Sequence, residues 1–350
     1  MLNKFFGRFS EDIAIDLGTA NTLLFVNGKG IVMNEPSIVA INTRTNQILA
    51  VGHTAKDMIG KTPPHISIVR PLTKGVISDF EVTEKMLKYF IDKIHEESFT
   101  IVPRPRVVIG VPLEITEVER KAVEDAALGA GARQVFLVEE SLAAAIGARQ
   151  PVTESVGSMI VDIGGGTTQI AVISLSGVVT WKSLTVAGEE LTKNIVQYAR
   201  DTFNLLVGER VAEMVKHKIG SAVPQDGRLD IEMRGRDLLT GLPRQVIVND
   251  GQIREATLRS IRFIIDNIKA TIEITPPELV ADIYERGIVL TGGGALLRGI
   301  DQLISKEAAI PVRIAEDPLT CVVRGAGEIL RDETLLSTIT LPSTSDEAYS

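Results

Sequence analysis

The chain has 350 residues, 37 basic against 45 acidic side chains and a net charge of −8. No long basic run offsets that acidity, which argues against nucleic acid as a partner, and the single cysteine, Cys321, excludes an internal disulfide or a cysteine-based metal cluster. A hydrophobic share of 44% with only 4% aromatic residues suits two aliphatic α/β domains, or one bilobal body, large enough to bury a core without staples.

The first residues place Leu2, Phe5, Phe6 and Phe9 at i, i+3, i+4 and i+7, with Lys4 and Arg8 between them. This is the pattern of a short amphipathic helix, which either packs on the body of the protein or lies on a membrane surface. One copy would hold a bilayer weakly and many copies on one scaffold would hold it well. No run is long enough to span a membrane, and the N-terminus lacks the apolar core of a signal peptide, so a cytoplasmic protein is expected. Residues 13–26 then read as a strand ending at Asp16, a turn of Gly18, Thr19, Ala20 and Asn21, and a return strand. Short β-like runs at 37–41 and 48–51 predict a small insertion over about 32–70. Inside it, Gly60-Lys61-Thr62 mimics the end of a P-loop. The first glycine of that motif would fall on Ala55, no strand precedes it, and Pro63-Pro64 block the helix that must follow.

Residues 79–97 predict a helix with Met86, Leu87, Phe90, Ile91 and Ile94 on one stripe. Phe99 and Ile101 follow in a short loop, where they would extend the apolar membrane surface of the N-terminus. A strand at 107–111 ends at Pro112, and Thr116 with Glu119 forms a capping box for a helix running to Gly129. The next strand, 135–138, continues the α/β alternation. It ends in Glu139 and Glu140 at the head of a small-residue helix. Glu140 either orients a water or complements the helix dipole, and the chain alone leaves both open.

From Ser158 an apolar run ends in Asp162, breaks into Gly164, Gly165, Gly166 and Thr167, and returns over 170–173. Glycines there let N–H groups turn toward an anion, and a carboxylate at the strand end would face a metal carried by phosphates. The alternative is an ordinary Gly-rich β-turn with Asp162 as a turn residue. The stretch repeats the plan of 13–26, which implies two similar lobes facing a shared ligand. Gly188 opens a helix with Leu191, Ile195 and Ala199 on one face, and 209–219 reads as a helix carrying Glu213 and Lys216. Strand-like pieces at 229–233 and 246–248 suggest a second insertion, about 183–250. A helix over 258–274 stops at Pro276-Pro277, and a strand at 288–291 runs into Gly292, Gly293, Gly294, Ala295 and Leu296. This third turn fails as a dinucleotide fingerprint because Leu297 stands where the last glycine belongs. Its bare backbone would instead admit a flat base or ribose. Cys321 reads as a small buried apolar residue. His53, His65, His95 and His217 lack metal-ligand spacing and are expected on surfaces or loops. The tail, 336–350, is rich in Ser, Thr and acidic residues and is expected to be disordered.

Three glycine turns with two strand-end aspartates, in this order, resemble the actin/Hsp70/sugar-kinase superfamily. Within it, Asp16-Leu17-Gly18-Thr19-Ala20-Asn21-Thr22, Asn34-Glu35-Pro36-Ser37, Asp162-Ile163-Gly164-Gly165-Gly166-Thr167-Thr168 and Leu290-Thr291-Gly292-Gly293-Gly294-Ala295-Leu296-Leu297-Arg298-Gly299 are similar to the MreB family of bacterial actins, over essentially residues 1–335. The resemblance implies an α/β, actin-like ATPase fold of two lobes, each an RNase H-like core with a small inserted subdomain. The first lobe would cover 1–145, with 315–335 packing back on it, and the second 146–335. ATP and Mg²⁺ would lie between them. Thr19, Ala20, Asn21 and Gly164, Gly165, Gly166 and Thr167 would contact phosphates, and Asp16 and Asp162 would hold Mg²⁺ through water. Glu140 would orient the attacking water. Glu213 and Lys216 would flank the adenosine, and Gly292–Leu296 its base and α-phosphate side.

The implied function is a slow ATPase that polymerises with itself on the inner face of the cytoplasmic membrane. There it would act with membrane proteins of the cell-wall elongation machinery to set cell shape. The alternative is a metabolic phosphotransferase of the sugar-kinase type, which needs an acidic base for a second substrate, and no such extra motif is present. Ser141 and Leu142, where the family usually has Pro and Met, and Gln169, where it is usually acidic, lie beside the hydrolytic residues. They bear on the rate of hydrolysis and leave nucleotide binding untouched.

Overall fold

Strands that are almost wholly apolar must be covered on both faces, and such strands form the centre of each of the two units into which this protein divides. The computed structural model describes residues 11–96 and 104–342. The candidate membrane residues Leu2, Phe5, Phe6, Phe9, Phe99 and Ile101 lie outside that range. Unit 1 comprises the chain up to Ser155, Ile173–Val178 and the chain from Leu319, and unit 2 comprises Val156–Val172 and Val179–Pro318. The sequence placed the first boundary at 145/146, inside the helix Glu140–Gly147, and expected 315–335 to pack back on the first lobe. The structure puts the boundary at 155/156 and returns the chain to unit 1 from Leu319.

In unit 1, β1 (Ile13–Leu17), β2 (Asn21–Val26) and β3 (Gly30–Pro36) form an antiparallel meander. β4 (Val39–Asn42), β5 (Gln47–Val51) and β6 (Ile66–Val69) form a separate three-stranded sheet. The first insertion therefore begins after Pro36, because residues 31–36 are committed to β3. A two-residue hairpin, β7 (Leu72–Thr73) and β8 (Val76–Ile77), leads into the helix Phe80–His95. Asp79 caps that helix by accepting from the Val82 N–H at 3.1 Å, and the expected stripe of Met86, Leu87, Phe90 and Ile91 is buried. β9 (Arg106–Val111) and β10 (Gln134–Glu139) run parallel to β1 and complete the sheet order β10-β9-β1-β2-β3. The helix between them, Glu117–Gly129, carries the expected capping box of Thr116 and Glu119.

Unit 2 is built on the same plan. β11 (Ser158–Ile163), β12 (Thr168–Ser174) and β13 (Gly177–Leu184) are followed by a subdomain made of the helices Gly188–Phe203 and Glu209–Ile219 with β14 (Leu205–Leu206), β15 (Asp230–Asp237) and β16 (Pro243–Asn249). This subdomain has its own apolar cluster, which includes Ile195, Leu205, Val215 and Met233. β17 (Ile288–Thr291) and β18 (Val312–Ile314) add parallel strands, giving the order β13-β12-β11-β17-β18, the counterpart of the first sheet.

Several expectations are corrected. The long helix runs Asp250–Glu273, starting eight residues before 258, because Asn249 and Gln252 form a capping box. Pro277 does not merely stop a helix but opens the next, Pro277–Arg286, at the position where a missing N–H costs nothing. His95 is buried, its Nδ1–H donating to the Ile91 carbonyl at 2.8 Å. The tail is ordered past 335, since Asp332 caps a helix Glu333–Ile339 whose Leu336 and Ile339 are buried. Residues 343–350 lie outside the described range. Cys321 is fully buried, as expected, and its Sγ accepts from the Arg324 guanidinium at 3.3 Å.

The helix Cys321–Arg331 crosses the helix Glu140–Gly147 with the two backbones in contact. A methyl on Gly325 would run into the Ala143 carbonyl, and one on Gly147 into the Cys321 carbonyl. Because backbone cannot give way as a flexible side chain does, Gly325→Ala should destabilise the protein by about 2 kcal/mol or more in urea unfolding. An unchanged midpoint would mean the crossing is loose.

Candidate functional site

The register of unit 1 brings its candidate residues to one edge. Asp16 pairs with Gly110, and Gly110 pairs in turn with Val138, so β1, β9 and β10 end side by side and Glu139 and Glu140 follow at that same carboxyl edge. Gly110 is bare where the Glu140 side chain crosses β9, and a Cβ there would lie 3.2 Å from the Glu140 Cγ. Glu140 is 8% exposed at the first position of its helix, and burial holds the neighbouring Glu139 carboxyl above the usual range. Ser141 and Leu142 are buried beneath it.

Beside Asp16 the turn from Gly18 to Asn21 is tightly specified. A Cβ on Gly18 would lie 2.6 Å from the Asn21 carbonyl oxygen, so only glycine fits. The Gly18 carbonyl accepts from the Ser37 Oγ at 2.6 Å and the Ala20 carbonyl from the Ser37 N–H at 3.0 Å. Thr19 is buried and its Oγ1 accepts from the Gly75 N–H at 2.9 Å, whereas Ala20 is exposed. The Asn21 side chain donates to the Asn34 Oδ1 at 2.8 Å.

In unit 2 the corresponding turn is held by a helix. The Gly164 N–H closes the turn on the Thr167 carbonyl at 2.9 Å. The Gly164 and Gly165 carbonyls accept from the Gly188 and Glu189 N–H groups at 3.1 and 2.8 Å, the first turn of the helix Gly188–Phe203. A trans peptide sets N–H opposite C=O, so the N–H groups of Gly165 and Gly166 are turned away from that helix. Two successive N–H groups turned the same way are what an anion nest requires. Lys216 reaches the same helix start, its Nζ donating to the Gly188 carbonyl at 2.7 Å and the Thr192 Oγ1 at 2.9 Å. Glu213 stands three residues earlier on the helix Glu209–Ile219, 3.9 Å from His217.

Asp162, the last-but-one residue of β11, lies directly across from Thr291 of β17, whose hydroxyl donates to its Oδ1 at 3.1 Å. The carboxyl is 8% exposed, and burial pushes its pKa from 3.8 up to about 6 against the small opposing effect of Thr291. Gly292 packs against this carboxylate with φ 77, and a Cβ there would collide with the Asp162 Oδ1. Gly294 likewise lies on Ile163. Within the third turn Ala295 is fully buried, whereas Gly293 is exposed and Leu296 is 55% exposed. Gln169 is buried in β12.

A buried carboxylate with so little compensation suits a divalent cation. Among the described residues no three His, Cys, Asp or Glu side chains gather into a direct ligand set. Among those residues, too, no helix is long and apolar enough to cross a membrane. The residues that sequence reasoning left without a role are Ser37, Thr291 and Gly110. A serine in a polar loop, a threonine at a strand end and a glycine inside a strand each have commoner explanations.

The model of the MreB/Mbl protein family matches residues 10–338. The chain belongs to the MreB/Mbl family. Its similarity to the cell shape-determining protein MreB of Escherichia coli (strain K12) is 53% identity over 334 residues, 94% of this chain and 96% of that protein. Among solved structures, MreB5 of Spiroplasma citri bound to AMPPNP matches with a TM-score of 0.89 at 38% identity, over 94% of this chain and 98% of its own. A MamK double helical filament chain matches with a TM-score of 0.78 at 22% identity, over 92% of this chain and 99% of its own, and supports the fold alone. The actin-like fold expected of an MreB/Mbl chain is the fold found.

The raised pKa of Asp162 fixes a pH signature for this MreB/Mbl protein without ligand. Between the unfolded value of 3.8 and the folded value of about 6 the native state binds the extra proton, so stability falls as pH rises through that window. The loss amounts to on the order of 3 kcal/mol. Asp162→Asn should remove that loss and leave the same-signed, separate contribution of Glu139. Urea unfolding at pH 4 and pH 7 checks this, and an equal pH dependence in wild type and variant would contradict it.

Proposed function

We propose that this MreB/Mbl chain is a cell-shape-determining cytoskeletal protein that binds ATP with Mg²⁺, hydrolyses it slowly and polymerises with itself on the inner face of the cytoplasmic membrane, beside membrane proteins of the cell-wall elongation machinery. The observation that carries the nucleotide reading is the repeated device of a strand-end aspartate followed by a turn whose carbonyls are tied back. The AMPPNP in the related Spiroplasma citri MreB5 supports it, and the cell-shape role is supported by the name of the Escherichia coli relative.

In phosphoryl transfer the protein's tasks are positioning and stabilisation of spread charge. The N–H groups of the turns at 18–21 and 164–167 bind phosphate oxygens, and Thr19 and Thr167 add hydroxyls. Lys216 adds positive charge to the N-terminus of the Gly188 helix, where the helix dipole has the same sign, and Glu213 and Lys216 flank the nucleoside. Gly292, Gly293 and Gly294 present bare backbone to the base, with Ala295 and Leu296 beyond them. Asp16 and Asp162 would hold Mg²⁺ through water, and the ion when bound supplies charge neutralisation at the phosphates. Glu140 accepts a hydrogen bond from the attacking water and holds it in line. The membrane reading rests on the apolar stripe of Leu2, Phe5, Phe6 and Phe9 with Phe99 and Ile101.

Glu140→Ala should slow phosphate release from preformed assemblies by about 10²-fold, the scale of a positioned base, and leave ATP binding intact. A wild-type rate would move the catalytic role elsewhere. In a pelleting assay the protein should sediment in a nucleotide-dependent and concentration-dependent way and carry liposomes with it. Deleting residues 1–9 should abolish the lipid association and spare the sedimentation. Sedimentation indifferent to nucleotide would overturn the filament reading, and full lipid binding by the deletion variant would place the anchor on another surface.

A further inference from the structure

The two phosphate turns are tied back by different means. In unit 2 the donors are backbone N–H groups of a 16-residue helix, Gly188–Phe203, and no single side chain is needed to supply them. In unit 1 both carbonyl ties come from one residue, Ser37, whose Oγ holds the Gly18 carbonyl at 2.6 Å and whose N–H holds the Ala20 carbonyl at 3.0 Å. The same Oγ lies 2.9 Å from the Thr22 Oγ1, at the start of the return strand. Both hydroxyls are fully buried.

Among the described residues no peptide bond is cis. With the carbonyls of Gly18 and Ala20 facing Ser37, the N–H groups on the same two peptides, those of Thr19 and Asn21, are therefore directed away from it. We infer that Ser37 is a positioning residue for nucleotide phosphates: its hydroxyl sets the direction of the Thr19 amide by holding the Gly18 carbonyl. The inference rests on the reading that the 18–21 turn binds phosphate. Ser37 does not touch the ligand and acts only through the turn.

A buried serine is also a structural element, so the test must separate positioning from folding. Calorimetric titration with Mg·ATP, at protein concentrations too low for assembly, is compared for wild type, Ser37→Ala, Ser37→Thr and Asp162→Ala, with each variant's fold checked by circular dichroism. Losing one hydrogen bond's worth of preorganisation predicts about tenfold weaker ATP binding in Ser37→Ala. KM should rise by the same factor and kcat at saturation should stay within about twofold, because uniform binding is what is lost. Ser37→Thr, which keeps the hydroxyl, should recover most of the affinity. Hydrogen exchange in the ligand-free Ser37→Ala variant should speed up at Thr19 but not at Asn21, whose peptide is held by the Ser37 backbone N–H, nor at Gly165 and Gly166.

Wild-type affinity in folded Ser37→Ala, with Asp162→Ala impaired, would overturn the role of Ser37 alone. Wild-type affinity in both variants would overturn the phosphate reading itself. Should Ser37→Ala fail to fold, Thr22→Val removes only the hydroxyl partner of Ser37. It should weaken binding by about threefold, and unchanged affinity there would count against the inference.

Discussion

The carbonyl groups of both glycine turns are bound to fixed donors, and a planar trans peptide then dictates where the attached N–H groups point. In unit 1 the donor is Ser37 and in unit 2 it is the start of the Gly188 helix. The glycines follow from this arrangement, since Gly18 has no room for a Cβ beside the Asn21 carbonyl. So do the strand-end aspartates, which stand where the buried sheet stops and the turn begins. Two sheets of the same order, each ending in an acid and a turn of aimed amides, amount to one chemical device used twice.

Asp162 shows what such a device costs in the absence of ligand. Its carboxylate has the Thr291 hydroxyl as a donor and is otherwise enclosed by Ile163 and the bare Gly292 backbone, and burial raises its pKa to about 6. A well-solvated aspartate would be easier to fold and weaker as a partner for a cation. The same trade is visible at the edge of unit 1, where burial raises the pKa of Glu139 at the end of β10. A buried acid at a strand end favours a bound positive charge, which a cation accompanying phosphates would supply.

The parts legible in the sequence were those with a strong local signature. The hairpins around Asp16 and Asp162 were marked by apolar runs broken at an acid and glycines, and Thr116 with Glu119 announced a helix start. Asn249 with Gln252 carries the same kind of signal, but Asp250-Gly251 between them reads as a turn, and eight residues of helix were lost to it. Pro276-Pro277 was read as a stop, although Pro277 is also a good first residue of a helix. The polar tail concealed a capped helix because Leu336 and Ile339 are too few to show a period. The tie made by Ser37 was invisible because it joins positions 19 residues apart, and nothing in a serine's neighbours reveals a distant carbonyl.

A structure of the protein with AMPPNP and Mg²⁺ tests the central claim most directly. The account predicts phosphate oxygens within hydrogen-bond distance of N–H groups from both turns, 18–21 and 164–167, with Asp16 and Asp162 joined to the ion through water. Phosphates held by one turn alone, with the other turned to solvent, would contradict it.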